Sequence, residues 1–206
     1  MTCKPHDIPI SRRLDDGSRM SREVHVRFCE RPGVKFLRPT HPQITTVQDG
    51  KVWLFGVIEH WNAELVGWHV AKRGTRFEAT QAISMAVCHE FGHLSPGVAR
   101  GLALRHDHGS NFMAEHFQKQ IRFWGLAPSY AFVGEPQTNG VIERFFRTFK
   151  EQVVHGRIYQ TIDDVRDAVR AFVTRYNAEW LIEKNGHASP NHARAAWNQA
   201  MLSAAA

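Results

Sequence analysis

The stretch QITTVQDGKVWLFGVIEHWNAELVGWHVA, residues 43–71, limits what this chain can fold into more than any other segment. QITTVQ (43–48) is rich in β-prone residues, and Asp49-Gly50 is a strong hairpin turn. KVWLFGVIE (51–59) is an almost unbroken apolar run, the mark of a strand buried on both faces. WNAE then turns the chain into LVGWHVA (65–71). Both links are far too short for a parallel crossover, so the three strands must form an antiparallel meander.

After residue 74 the period changes from two to about 3.6. TRFEATQAISMAVCHEFG (75–92) carries Phe77, Ala82, Ile83, Ala86 and Val87 at helical spacing, with Thr75 as N-cap and Gly92 as stop. GLALRHD (101–107) is a short strand, and 110–125 is a helix with Phe112, Met113, Phe117, Ile121 and Trp124 on one side. PSYAFV (128–133) is a fifth strand. A helix over 141–154 follows, with Ile142, Phe145, Phe146, Phe149 and Val153 as its apolar stripe. Another begins at Thr161, where Asp164 completes a near capping box, and a short helix follows Ala188-Ser189-Pro190. The order β-β-β-α-β-α-β-α-α predicts an α/β fold: one five-stranded mixed sheet, three antiparallel strands then two parallel, flanked by helices. The expected organisation is an irregular basic arm over 1–37, a core over 38–160 and a helical extension over 161–206.

Composition narrows the partner. The net charge is +6, which favours an anionic partner, nucleic acid first. Residues 1–38 hold nine Lys/Arg against five Asp/Glu, so most of the excess sits in this N-terminal segment. The three cysteines, Cys3, Cys29 and Cys88, form no Cys-x-x-Cys pair and no disulfide framework, so a reducing, cytoplasmic compartment is expected. The first 30 residues lack the apolar core of a signal peptide, and VWLFGVI (52–58) is too short to span a bilayer, so no membrane role is expected.

Two groups of residues could carry chemistry. His89-Glu90-Phe91-Gly92-His93 fits H-E-x-x-H, which on a helix holds zinc between two imidazoles beside a carboxylate base. Against a zinc hydrolase, Gly92 weakens the helix and Pro96 ends it, and no third ligand follows at the extended motif's spacing. The bland alternative is a helix C-terminus where histidine complements the dipole. The second group is acidic. Asp107, in LRHDHGSNF (104–112), stands where an apolar strand gives way to a helix, and Ser110 already suits the cap position. Glu143, in PQTNGVIERFFRTFK (136–150), lies in the first turn of its helix, with Arg147 at i+4 and Lys150 at i+7 on the same side. Asp107 and Glu143 have 35 residues between them, a helix-strand-loop unit that can bring a strand-end acid beside a helix-start acid. Paired carboxylates suit Mg²⁺, and two such ions can activate a hydroxyl and stabilise a leaving oxygen. Alone, Glu143-Arg147-Lys150 would read as a solvated helix face.

With these residues in place the sequence resembles the DDE transposases of bacterial insertion sequences, which share the retroviral-integrase core and the ribonuclease-H-like fold. The resemblance covers about residues 40–197 and rests on residues 49–70, LRHDHGSNF, PQTNGVIERFFRTFKE (136–151) and RYNAEWLIEKNGHASP (175–190). It implies catalytic, metal-binding roles for Asp107 and Glu143 as second and third acids. It implies DNA contacts for Lys150 and, at polar positions around the site, for His108, Ser110 and Asn139. Arg144 and Arg147 join these as phosphate contacts. The implied reaction is strand cleavage and transfer with two Mg²⁺ or Mn²⁺ ions. The implied partners are DNA (element ends and target) and a homo-oligomer or an intact transposase, in the bacterial cytoplasm at the nucleoid.

The resemblance fails at one position. The family's first acid falls on Thr40, and no acid stands between Val34 and Gln48. Asp49 is the nearer substitute in sequence, and Glu59 is at the far end of the next strand. A threonine cannot bridge cations as a carboxylate does, so a truncated, catalytically impaired transposase core is expected. The arm is expected to be either frame-shifted sequence that rejoins the family near Gln43 or a genuine divergent start, and in both cases the N-terminal helix-turn-helix of such elements is expected to be absent. The alternatives are a non-catalytic DNA-binding or oligomerising remnant, and the zinc hydrolase through His89, Glu90 and His93.

Overall fold

A computed structural model describes residues 23–26, 42–106, 109–130 and 140–204. Thr40, Asp107, His108 and Asn139 lie outside them.

The meander forms as its turns require. β2 (Gln43–Thr46) pairs antiparallel with β3 (Gly50–Glu59), Thr46 opposite Gly50, and β3 pairs antiparallel with β4 (Leu65–Ala71). Gly50 takes φ +70, the left-handed conformation this hairpin demands. β5 (Ala103–His106) and β6 (Ala127–Tyr130) run parallel to each other.

The strand count corrects the expectation of five. A sixth strand, β1 (Glu23–Val26), comes from the segment read as an irregular arm. It pairs antiparallel with β3, Val24 opposite Glu59, and parallel with β5, Val24 opposite Leu104. The reason is geometric. β3 has ten residues, and β2 covers only the half nearest the hairpin. The remaining edge of β3 and the facing edge of β5 leave a slot of unpaired backbone, and four extended residues satisfy both sides. Nothing local in Glu-Val-His-Val announces that slot.

Helices cover both faces. Toward one, Phe55 and Val57 of β3 and Leu104 of β5 pack with α1 (Arg76–Phe91), α2 (Ser110–Met113) and α3 (Glu115–Phe123). Toward the other, Ile44, Val52, Leu54 and Ile58 pack with α4 (Gly140–Phe149) and α5 (Ile162–Glu179). β3 is thus buried on both sides, as its unbroken apolar run requires. α6 (Pro190–Ala204) closes the described chain and packs on α5. α1 sits unusually close to the sheet at Gly67, where a Cβ would fall 2.5 Å from the Ala82 carbonyl oxygen and 2.7 Å from the Ala86 nitrogen. α5 opens with a complete capping box: Thr161 accepts from the Asp164 amide, and Asp164 accepts from the Thr161 amide.

Three local expectations need correction. The helix expected over 110–125 breaks at Ala114, which is extended. Phe112 and Phe117 are five apart and could not share one face of a continuous helix, but after the break both are buried and meet edge to face at 5.1 Å. Ser110 does not cap: Gly109 is the N-cap, and Ser110 is the first helical residue. Phe77, assigned to the buried face of α1, is half exposed and meets the His116 ring at 4.7 Å. In addition, Cys88 is disulfide-bonded, where the cysteine spacing predicted no disulfide framework.

Candidate active site

α4 is held by its apolar stripe. Ile142, Phe145, Phe146 and Phe149 are buried, Phe145 meeting Tyr176 edge-on at 4.9 Å and Phe149 meeting Phe172 at 5.6 Å. The helix comes close to β3 because residue 56 has no side chain: a Cβ there would lie 3.3 Å from the Phe146 ring. With that stripe locked, the orientation of the polar side is set. Glu143 and Lys150 are half-buried at its margin, and Arg147 is exposed between them. Arg144 is turned about 100° around the helix from Glu143 and acts electrostatically on Tyr176 and on Lys184. None of Arg144, Arg147 and Lys150 has an ion-pair partner among the described residues. On α5, by contrast, Arg166 and Arg170 are each neutralised by an aspartate one turn earlier.

The helix expected to run unbroken to residue 154 changes pitch at Lys150. Lys150–Val154 is a π-turn, and the His155 amide donates to the Lys150 carbonyl at 2.8 Å. Such turns collect at functional sites, where they re-aim a side chain without ending the helix. The i, i+4, i+7 alignment survives because Lys150 opens the wider turn.

β5 ends at His106, the residue before Asp107. His106 is fully buried, and its Nε2 accepts a hydrogen bond from Gln118 Nε2 at 3.1 Å. The same Gln118 nitrogen donates to the Phe112 carbonyl at 2.8 Å. These bonds pin the strand end from which Asp107 departs to the start of α2, where Ser110 sits. His106 escaped the sequence reading, although strand alternation puts it in phase with buried Leu104.

The substitutes for the first acid have other employment. Asp49 accepts from the Ile162 amide at 2.8 Å and pairs with Lys72 at 2.6 Å, tying the β2–β3 turn to the start of α5. The Lys72 hydrogen bond holds its carboxyl below the usual range. Glu59 is buried and accepts from the Trp61 amide at 3.2 Å.

The H-E-x-x-H residues do not converge on a metal. His89 Nδ1 bonds Glu90 at 3.1 Å, and its Nε2 lies 3.7 Å from Glu64. His93 is exposed, and its Nδ1 donates to the Phe91 carbonyl at 2.9 Å. Gly92 ends α1 in the left-handed conformation. Arg194, on α6, fills the space a metal would need: its Nε bonds Glu64, and its two terminal nitrogens reach Glu90 at 3.1 and 3.0 Å. Burial pushes the Glu90 pKa up, but His89 and Arg194 outweigh it and hold the group at about 2. The Glu90 hydrogen bond raises the His89 pKa above its ordinary value. Among the described residues, no group of three or more His, Cys, Asp or Glu side chains is placed to hold a metal ion.

Residues 124–194 match the model of the integrase core domain family. Over those residues, about a third of the chain, the sequence is similar to integrase core domains. Insertion-sequence transposases are its sequence relatives. It is 27% identical over 135 residues to the transposase InsF for insertion sequence IS3A of Escherichia coli, covering 65% of this chain and 43% of that one. It is 24% identical over 181 residues to the transposase for IS629 of Shigella sonnei, covering 88% of this chain and 57% of that one. The chain thus spans about half the length of the curated relatives it matches. The chain is similar in fold to the catalytic core domain of BIV integrase, with a TM-score of 0.56 at 15% identity over 88% of this chain and 99% of that one. It is similar also to the HTLV-2 integrase catalytic core domain solved with magnesium, with a TM-score of 0.51 at 14% identity over 78% and 87%. The architecture is ribonuclease-H-like. Among the described residues, no helix is long and apolar enough to cross a membrane.

Proposed function

We propose that this integrase core binds DNA along α4 and belongs to a transposase whose reaction is metal-dependent strand cleavage and transfer, in which this chain is impaired. One observation carries the reading. Four buried side chains clamp α4 so that Glu143, Arg147 and Lys150 share one side, and the cations there have no carboxylate partner among the described residues. A phosphate backbone supplies the missing counter-charge.

The donor chemistry fits a hard divalent ion, since Asp107 and Glu143 are oxygen ligands of the kind Mg²⁺ or Mn²⁺ takes. When bound there, the ions would activate the attacking hydroxyl and neutralise charge on the phosphate. The protein's own contribution is positional. The buried Phe145, Phe146 and Phe149 rings fix α4 against the sheet and so the side on which Glu143 stands, and Arg147 and Lys150 would orient the strand along the helix. Thr40 at the first-acid position removes one shared ligand, which weakens metal affinity and misplaces the nucleophile. The chain acts on bacterial DNA as part of a multimer, with itself or with an intact transposase.

A Mg²⁺- or Mn²⁺-dependent cleavage and strand-transfer assay on insertion-sequence ends tests this. The unaltered chain should bind DNA and cleave little or not at all. Thr40→Asp should raise activity, and Glu143→Gln in that background should abolish it. Robust cleavage by the unaltered chain would sink the impairment. DNA binding without cleavage in Thr40→Asp would favour the second reading, a non-catalytic remnant able to poison an intact transposase.

A further inference from the structure

The segment after α5 clasps the β3–β4 turn. Asn177 pairs with both backbone groups of Leu65 at 3.0 Å, Asn185 donates to the Asn62 carbonyl at 2.8 Å, and Asn62 donates to the Pro190 carbonyl at 3.1 Å. Lys184, in the short 3₁₀ turn Glu183–Asn185, donates to the His60 carbonyl. That bond accounts for one of three ammonium donors, and Lys184 has no other hydrogen-bond or ion-pair partner among the described residues.

The electrostatic setting is unbalanced. Glu59 of β3 attracts the Lys184 ammonium, and Arg144 of α4 repels it. Partial desolvation and Arg144 outweigh Glu59 and bring the Lys184 pKa down to about 8. Arg144 also faces Tyr176 of α5, whose phenol burial keeps neutral. Lys184 therefore feels a second cation, and the carboxylate that attracts it already accepts from the Trp61 amide. Ile182, two residues before Lys184, packs on the same core as Ile142 of α4, so the cation of the clasp and the cationic side of α4 belong to one region of the surface. A phosphodiester would relieve the repulsion and use the idle donors.

We propose that Lys184 is a further nucleic-acid contact of this core, carrying the DNA surface from α4 across Arg144 onto the C-terminal clasp, where it takes a backbone phosphate. This rests on the DNA-binding reading above.

The test is duplex DNA binding by fluorescence anisotropy across a salt series, with an insertion-sequence end and an unrelated duplex. Lys184→Met should weaken binding roughly 3–10-fold on both duplexes and lower the salt slope by about one. Lys184→Arg should keep both near the unaltered values. Lys119→Met serves as a control, because Lys119 is engaged by Glu115 on the exposed side of α3. Should Lys184→Met lower Tm, Lys184→Gln carries the test, since it keeps a donor for the His60 carbonyl without the charge. An unaltered salt slope in the uncharged variants, with Arg147→Ala and Lys150→Ala weakened, overturns the Lys184 assignment alone. Failure of the unaltered chain to bind any duplex at low salt overturns the DNA-binding reading itself.

Discussion

Arg194→Met is the sharpest test of what the H-E-x-x-H residues do. Methionine fills much of the arginine's volume and removes its charge and donors. Glu64 and Glu90 are then left in place, with side chains only 4% and 12% exposed and His89 as their remaining cation. In the native chain Glu90 titrates at about 2 instead of 4.5. At about 1.4 kcal/mol per unit, that depression corresponds to about 3 kcal/mol. The His89 hydrogen bond supplies the largest part of that depression and stays in the variant, but Glu64 loses Arg194 as well as Glu90, and breaking a buried ion pair from one side costs about 3–5 kcal/mol by general experience. Urea denaturation at pH 7 should therefore show a loss of about 3 kcal/mol. The sign with pH is definite. A depressed carboxyl pKa gives stability that is present above 4.5 and is lost as the pH falls through about 2. The gap between native and variant should narrow over that window, because protonated carboxyls no longer need Arg194. His89 acts in the opposite sense: its raised pKa gives stability complete below 6.5 and lost as the pH rises through its folded value. A loss under about 1 kcal/mol at pH 7, or a gap that does not change between pH 5 and pH 2, would refute the account.

Two further substitutions probe the scaffold. Gly67→Ala should cost about 3 kcal/mol or more in urea denaturation, because its Cβ would sit 2.5 Å from the Ala82 carbonyl oxygen, a helix backbone atom that cannot swing aside. Adding Ala86→Gly should restore little of that stability, and full rescue would show the strain to be elsewhere. Asn177→Leu should cost roughly 2–4 kcal/mol, since it strands both backbone groups of buried Leu65, and hydrogen exchange at Leu65 should quicken; an unchanged exchange rate would contradict the clasp.

What the sequence determined by itself was whatever depends on near neighbours. The hairpin at Asp49-Gly50, the two-faced burial of β3, the Gly92 stop, the Thr161–Asp164 box and the common side of Glu143, Arg147 and Lys150 all follow from periods and caps a few residues long. The tertiary structure decided whatever depends on partners far along the chain. β1 exists because β3 and β5 leave backbone unpaired, and no property of residues 23–26 reveals that vacancy. The 110–125 helix breaks because Phe112 and Phe117 must both reach the core. His89 and Glu90 look like half a zinc site until Arg194, more than a hundred residues later, places its guanidinium between Glu64 and Glu90. Hydrophobic period is a local signal, but pairing and charge compensation are settled only when distant segments meet, so the metal-like motif turned out to be an ion-pair cluster joining α6 to the core.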